Sequence, residues 1–268
     1  MLDVAAVSHS YATGGRLWRK AAFPVLNDVS FTLEPGVCLG LLGSSGTGKT
    51  TLGNIILGLQ RPTSGQVSFA GIDMYARDRR SIHKVRREVQ AVFQDCYAAV
   101  NPLMTAARII GEPLHNYERL SPQEHKRRVA ELLEQVGLQA SDADKRPAAF
   151  SGGQLQRINI ARAIALKPKL IVLDEAISSL DMVNQTQILA LLSELRADYD
   201  MSYLFITHHI QAACTICDQM MVMDAGQIVC TADSAQTLMQ EAHPAVRRLV
   251  EAQLPEHPAQ RLDWSVMS

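Results

Sequence analysis

Hydrophobic residues change their spacing several times along this chain, and each change marks a different kind of element. Val29, Phe31 and Leu33 in VSFTL alternate with polar neighbours, as do Val67 and Phe69 in GQVSF, which predicts strands with one buried face. The turn residues EPG and TSG bound them. VCLGLLG, 37–43, is a short unbroken apolar run, as expected for a strand covered on both faces. Leu52, Ile55, Ile56 and Leu59 then recur at i, i+3, i+4 and i+7, the buried stripe of a helix.

From about residue 78 to 165 the spacing is helical. Ser121-Pro122-Gln123-Glu124 has the form of a capping box with proline at the first helical position. Val129, Leu132, Leu133 and Val136 mark the apolar face of that helix, and Gly137 marks its end. KLIVLDE, 169–175, is a second buried-strand run, closing on two acids. Ile188, Leu191, Leu192 and Leu195 line one face of the next helix; YLFITHH, 203–209, is a further buried strand, and MVMDAGQIV, 221–229, a hairpin. Strands alternating with helices predict an α/β fold with a mostly parallel core sheet, an N-terminal antiparallel sheet and a helical insert.

Composition narrows the class. With 268 residues, 47% hydrophobic and 20% charged, the chain has room for a large buried core. A formal net charge of −1 argues against a broad grip on nucleic acid. No apolar run reaches the roughly 18 residues that a membrane span requires, and MLDVAAVSHSYATGG lacks signal-peptide character. The expectation is a protein of the cytosolic side, held at a membrane, if at all, by other chains. Five scattered cysteines read as reduced thiols; Cys214 and Cys217 form a C-x-x-C, either neighbours on a helix or a metal or redox pair. RDRRSIHKVRR, 77–87, holds six Lys or Arg, which suits a solvated helix face or a contact with lipid headgroups or a partner.

The chemistry begins at GSSGTGKT, 43–50, which fits G-x-x-x-x-G-K-[ST] between a buried strand and an amphipathic helix. Gly43, Gly46 and Gly48, with Ser44, Ser45 and Thr47 between them, let successive backbone N–H groups turn inward on phosphates, and the helix N-terminus adds its dipole. Lys49 is placed to pair with the β- and γ-phosphates of a nucleotide and the Thr50 hydroxyl to ligate Mg²⁺; Thr51 follows. Asp174 and Glu175 end a strand where open parallel sheets bind ligands. Asp174 suits the Mg²⁺ shell, and Glu175, one step on, suits the attacking water.

FSGGQLQR, 150–157, is harder to explain locally. Ser151 and Gln154 form an S-x-x-Q capping box, yet Gly152 and Gly153 each cost about 1 kcal/mol against alanine in a helix. Glycine there suits a helix N-terminus that something anionic approaches closely.

GSSGTGKTT, Gln94 in VFQD, FSGGQLQR, LIVLDE, SSLD at 178–181 and THH at 207–209 stand in the order seen in ABC-transporter ATPases, and the resemblance covers nearly the whole chain. It implies a P-loop NTPase of the ABC ATPase type over 1–252, with a helical subdomain at about 96–165 and a loosely ordered tail at 253–268. It implies two nucleotide-binding subunits meeting head to tail, with Ser151, Gly152 and Gly153 of one contacting the γ-phosphate held by the other. By the same resemblance Tyr11 stacks on adenine, Gln94 senses Mg²⁺ and water, Asp181 communicates across the dimer, and His208 clamps the γ-phosphate and water. Phe150, Ala176 and His209 depart from the usual leucine, proline and aspartate.

FQDCYAAVNP, 93–102, and HPAVRRLV, 243–250, resemble ATPases of dipeptide, oligopeptide and nickel importers, and LDEAISSLD looks most like the second ATPase of nickel and metal-chelate importers. That resemblance implies ATP and Mg²⁺ as ligands and import of nickel or a metal chelate, with peptide import as the alternative. It implies as partners a second similar ATPase or another copy of the chain, two transmembrane permeases and an extracytoplasmic substrate-binding protein. The chain would sit peripherally at the cytoplasmic face of the cell membrane.

Overall fold

The computed structural model describes residues 1–13 and 21–251. Four strands, β1 (Leu2–Thr13), β2 (Ala21–Leu33), β4 (Ser64–Phe69) and β5 (Ile72–Asp73), form an antiparallel sheet in the order β2-β1-β4-β5. The other six, β3 (Cys38–Leu42), β6 (Val89–Phe93), β7 (Leu170–Asp174), β8 (Ser202–Thr207), β9 (Gln219–Asp224) and β10 (Gln227–Ala232), form a second sheet ordered β10-β9-β3-β8-β7-β6. It is parallel from β9 to β6 and ends in the antiparallel β9–β10 hairpin. This is the α/β architecture that the alternating elements predict.

The unbroken apolar runs behave as expected: every residue of β3, β7 and β8 is buried. One core lies between the two sheets, around Leu26, Leu41, Ile55, Val67 and Ile206. The other lies on the opposite face of the mixed sheet, where Leu133, Ile158, Leu192 and Phe205 pack together. Helices α3 (Ala106–Tyr117), α4 (Pro122–Gln135), α5 (Gly152–Ile164) and α6 (Met182–Tyr199) contribute to that second core. The chain is completed by α1 (Lys49–Ile56), α2 (Arg79–Glu88), α7 (Ile210–Ile216), α8 (Ala235–Met239) and α9 (Pro244–Glu251). The tail at 253–268 lies outside the described residues.

Local chemistry explains several boundaries. Gly137 ends α4 at φ +73°, with its N–H donating to Glu134 O and that of Leu138 to Leu133 O, both at 2.9 Å. Ala225 and Gly226, at φ 45° and 80°, make the tight turn of the predicted hairpin. Ser121 Oγ accepts from Glu124 N at 3.3 Å, so the helix-capping half of the predicted box is made.

Two expectations fail. Leu59 is 66% exposed, because α1 stops at Ile56 and Gly58, at φ +68°, turns the chain away from the buried stripe. The stretch expected to be helical throughout is interrupted by β6, whose Val89 lies opposite Leu170 and Phe93 opposite Asp174. VQAVF is an edge strand with buried Val89 and Val92 and a half-buried remainder, so its spacing matches neither strand template. The C-x-x-C pair closes α7: Cys217 caps the helix and its sulfur lies 3.6 Å from Cys38 Sγ on β3. Among the described residues no three potential metal ligands cluster.

A side chain at Gly137 would have to adopt its positive φ with Cβ 3.1 Å from Arg157 Nη1, which itself donates to Val136 O at 2.7 Å. Gly137→Ala is therefore expected to cost about 1–2 kcal/mol, or roughly 2–8 °C in Tm for a chain of this size. An unchanged Tm in a calorimetric scan would contradict this reading of the helix end.

Candidate active site

Strands β3, β8 and β7 are neighbours, and their C-terminal ends release the three segments that carry the chemistry. From β3 comes the loop at 43–50. Gly46 and Gly48 sit at φ +83° and +105°, and a Cβ on Gly48 would lie 2.8 Å from both Leu26 Cδ2 and Val25 O. The loop is therefore closed to larger residues at that point by both conformation and space. It folds around Lys49, whose Nζ donates to Gly43 O at 2.6 Å and Ser44 O at 2.9 Å. Thr47 Oγ1 tightens the turn by donating to Ser44 O at 3.0 Å.

From β7 come the two acids. Asp174 is buried and its Oδ1 accepts from Thr50 Oγ1 at 3.4 Å, joining the ends of β7 and α1. Glu175 holds φ at +50°, an unusual conformation for a residue with a side chain, of the kind that clusters at working sites. Its backbone N–H donates to Ile206 O at 2.9 Å, anchoring the turn to β8. From β8 comes His208, whose Nδ1 lies 3.0 Å from Glu175 Oε1. An ionised carboxylate only accepts, so Nδ1 carries the proton and Nε2 is left for another partner. The two histidines lie beyond the last residue of β8, so strand alternation does not govern them; their ring centroids are 6.3 Å apart.

These segments bound a cavity of about 430 Å³, lined among others by Ser45, Lys49, Thr50, Gln94, Glu175 and His208. Burial lowers the pKa of Lys49, opposed by the charges of Glu175 and Asp174. Burial raises that of Asp174, the neighbouring Glu175 adds to it, and Thr50 and Lys49 oppose it. Burial also acts to raise Glu175, but the hydrogen bond from His208, then Ser178 and, least, the Lys49 charge overcome it and hold the carboxyl below its ordinary value. Glu175 is thus kept ionised, while Asp174 carries a charge it holds only at a cost.

The remaining predicted residues fall in two groups. Tyr11, on β1, is 42% exposed and its hydroxyl reaches Thr51 Oγ1 at 3.3 Å and Gln60 Oε1 at 3.0 Å, which ties it to the flank of α1. Ser151, Gly152, Gly153 and Gln154 are not among the cavity's lining residues. They open α5, where the capping box forms in both directions: Ser151 N donates to Gln154 Oε1 at 3.0 Å and Gln154 N to Ser151 Oγ at 3.3 Å. Asp181 caps α6, accepting from Asn184 N at 2.9 Å.

The two glycines differ in what they do. A Cβ on Gly152 would meet nothing closer than Leu180 Cδ2 at 3.9 Å, so this residue presents bare, open backbone. A Cβ on Gly153 would lie 2.5 Å from Asn184 Oδ1 and 2.9 Å from Asn184 Cγ, so a side chain there would displace Asn184 from its bond to Asp181 at the start of α6. An open surface therefore accounts for Gly152 but is not needed to account for Gly153.

Sequence reasoning overlooked a polar stripe on α5. Gln156 Nε2 donates to Ala176 O at 2.6 Å, Asn159 Nδ2 to Cys96 O at 3.2 Å, and Arg162 Nη1 to Ala99 O at 2.8 Å. These side chains tie the SGGQ helix to the turn after Glu175 and to the segment after Gln94. Their i, i+3, i+6 spacing along one face of the helix is the signal that could have found them.

Because its folded-state pKa is raised, Asp174 contributes stability below the ordinary aspartate range and loses it as the pH climbs through the raised value. Asp174→Asn is accordingly expected to raise the Tm of the nucleotide-free protein near pH 7.5, with the gain shrinking as the buffer is acidified into the carboxylate range. A variant less stable than the parent at neutral pH would refute the electrostatic picture.

A family model described as ABC transporter matches residues 26–178. The nickel import ATP-binding protein NikE of Escherichia coli (strain K12) is 41% identical over 261 residues, covering 97% of each chain. NikE of Brucella suis biovar 1 (strain 1330) is 43% identical over the same coverage. The dimeric post-hydrolysis structure of the ATP-binding cassette MJ0796 bound to ADP and Pi superposes with a TM-score of 0.77 at 28% identity, over 87% of this chain and 98% of that one. The cbiO1 subunit from Clostridium perfringens, part of the cbiONQ transporter complex, gives 0.77 at 25% identity over 95% of each chain. With a glycine-rich loop, the adjacent acids Asp174 and Glu175 and a histidine gathered on three adjacent strand ends, and with relatives matching 97% of it, this chain belongs to the ABC transporter family of ATP-hydrolysing proteins.

Proposed function

We propose that this chain is the ATPase subunit that powers import of nickel or a nickel chelate. The observation that carries the cargo is its similarity to NikE along 97% of both chains, at 41–43% identity. The chemistry is supported by the cavity itself. The loop N–H groups of 43–50 and Lys49 hold the β- and γ-phosphates, and Tyr11 stacks on adenine. Thr50 and Gln94 line the cavity and Thr50 bonds Asp174; the hydroxyl, amide and carboxylate oxygens of these three residues suit Mg²⁺, with its preference for few protein ligands and retained waters. When bound, the ion neutralises charge on the phosphoryl oxygens.

Glu175 accepts a proton from the attacking water, or orients it, while His208 steadies the carboxylate through Nδ1 and faces the γ-phosphate through Nε2. A second ATPase subunit supplies Ser151, Gly152 and Gly153 to the γ-phosphate, and Asp181 lies at that junction. No helix among the described residues is long and apolar enough to cross a membrane. Attachment at the cytoplasmic face is through two permease subunits, fed by an extracytoplasmic binding protein.

In membranes carrying the assembled complex, Glu175→Gln is expected to keep ATP binding and to hydrolyse about 10²–10⁴-fold more slowly. Turnover within a few-fold of the parent would remove Glu175 from its role. Cells lacking this chain are expected to lose ⁶³Ni²⁺ uptake and regain it with the wild-type chain alone. Normal nickel uptake together with lost dipeptide uptake would reassign the cargo.

A further inference from the structure

The basic stretch at 77–87 takes no part in the nucleotide cavity, yet it encloses a hollow of its own. Helix α2 begins at Asp78, whose carboxylate accepts from Arg80 N and Ser81 N at 3.1 Å and from Ser81 Oγ at 2.7 Å. Val85 is the helix's one buried residue, so its orientation is set by a single apolar anchor. Arg79, His83 and Arg86, at i, i+4 and i+7, then share one edge. With Arg77, Ile82 and Tyr117 from the end of α3 they line a cavity of about 400 Å³. His83 stacks on Tyr117 with ring centroids 4.4 Å apart and planes within 21°.

Some arginines of this surface are neutralised by neighbouring carboxylates; those of the hollow are not. Arg127, Arg128, Arg196 and Arg248 all pair with carboxylates, and within the stretch itself Arg87 pairs with Glu118 at 3.3 Å. No carboxylate lines the hollow, and among the described residues Arg77, Arg79 and Arg86 make no ion pair within 4.0 Å. Three like charges around one concavity repel one another, and an anion reverses the sign of that interaction. The planar fork of guanidinium matches phosphate oxygens in pairs, and the stacked His83–Tyr117 wall offers a flat surface to whatever the phosphate carries. The volume is that of a small-ligand site.

We propose that this hollow binds a phosphate group, carried by an anionic phospholipid headgroup or by a soluble polyphosphate. The test uses the full chain with its nucleotide site filled by Mg·ADP. One arm measures flotation with phosphatidylcholine vesicles with and without phosphatidylglycerol; the other is a calorimetric titration with pyrophosphate. The triple variant Arg77→Gln, Arg79→Gln, Arg86→Gln is expected to bind at least one probe about 100-fold more weakly, each basic residue contributing about fivefold. The control Arg80→Gln, Lys84→Gln, Lys126→Gln removes equal charge outside the hollow and is expected to stay within a few-fold of wild type. A loss confined to vesicles identifies lipid as the source, and one confined to pyrophosphate identifies a soluble anion. Equal losses in both triples, or no binding of either probe by the wild type, would overturn the proposal.

Discussion

Everything at the nucleotide cavity depends on holding two adjacent carboxylates and one ammonium in a largely buried space. Asp174 and Glu175 repel each other, and burial penalises both. Lys49, itself desolvated, offsets part of that repulsion, while Thr50 and His208 take the remaining hydrogen bonds. None of these groups would hold its charge alone in such a place. The parallel sheet makes the arrangement possible, because β3, β8 and β7 end side by side and deliver one piece each. Such a cluster costs stability even with its partners in place: a protein selected for stability alone would place fewer acids there.

Much of this was legible in the sequence, for identifiable reasons. The loop at 43–50 couples glycine conformation to phosphate chemistry at fixed spacing, and the unbroken apolar runs before it and before Asp174 admit few alternatives to buried strands. Ser151 and Gln154 form their box because capping is settled within four residues. What could not be read was contact between distant segments. Gly153 lies against the Asn184 side chain, and Gln156 and Asn159 find partners in turns that sequence distance conceals. β6 escaped because an edge strand, half covered, shows neither alternation nor an unbroken run.

Those long-range contacts also join α5 to the segments that border the cavity. The SGGQ helix is bonded to the carbonyl of Ala176, next to Glu175, and to that of Cys96, just after Gln94. Helix α5 is therefore linked, through two side-chain bonds, to the segments that carry Glu175 and the cavity-lining Gln94. Ala176, which replaces the usual proline, is buried and held by Gln156, so the turn keeps an external restraint. Within one chain the residues at 151–154 lie apart from the cavity they are proposed to complete.

That separation makes association the decisive observable. Light scattering should be recorded on the Glu175→Gln variant, together with its permeases and any sister ATPase, with and without Mg·ATP, followed by crosslinking between cysteines placed at Ser45 and Ser151. Nucleotide-dependent crosslinking between ATPase chains, lost without ATP, is the expected result. Equal crosslinking with and without nucleotide, or none at all, would contradict a nucleotide closed between two chains.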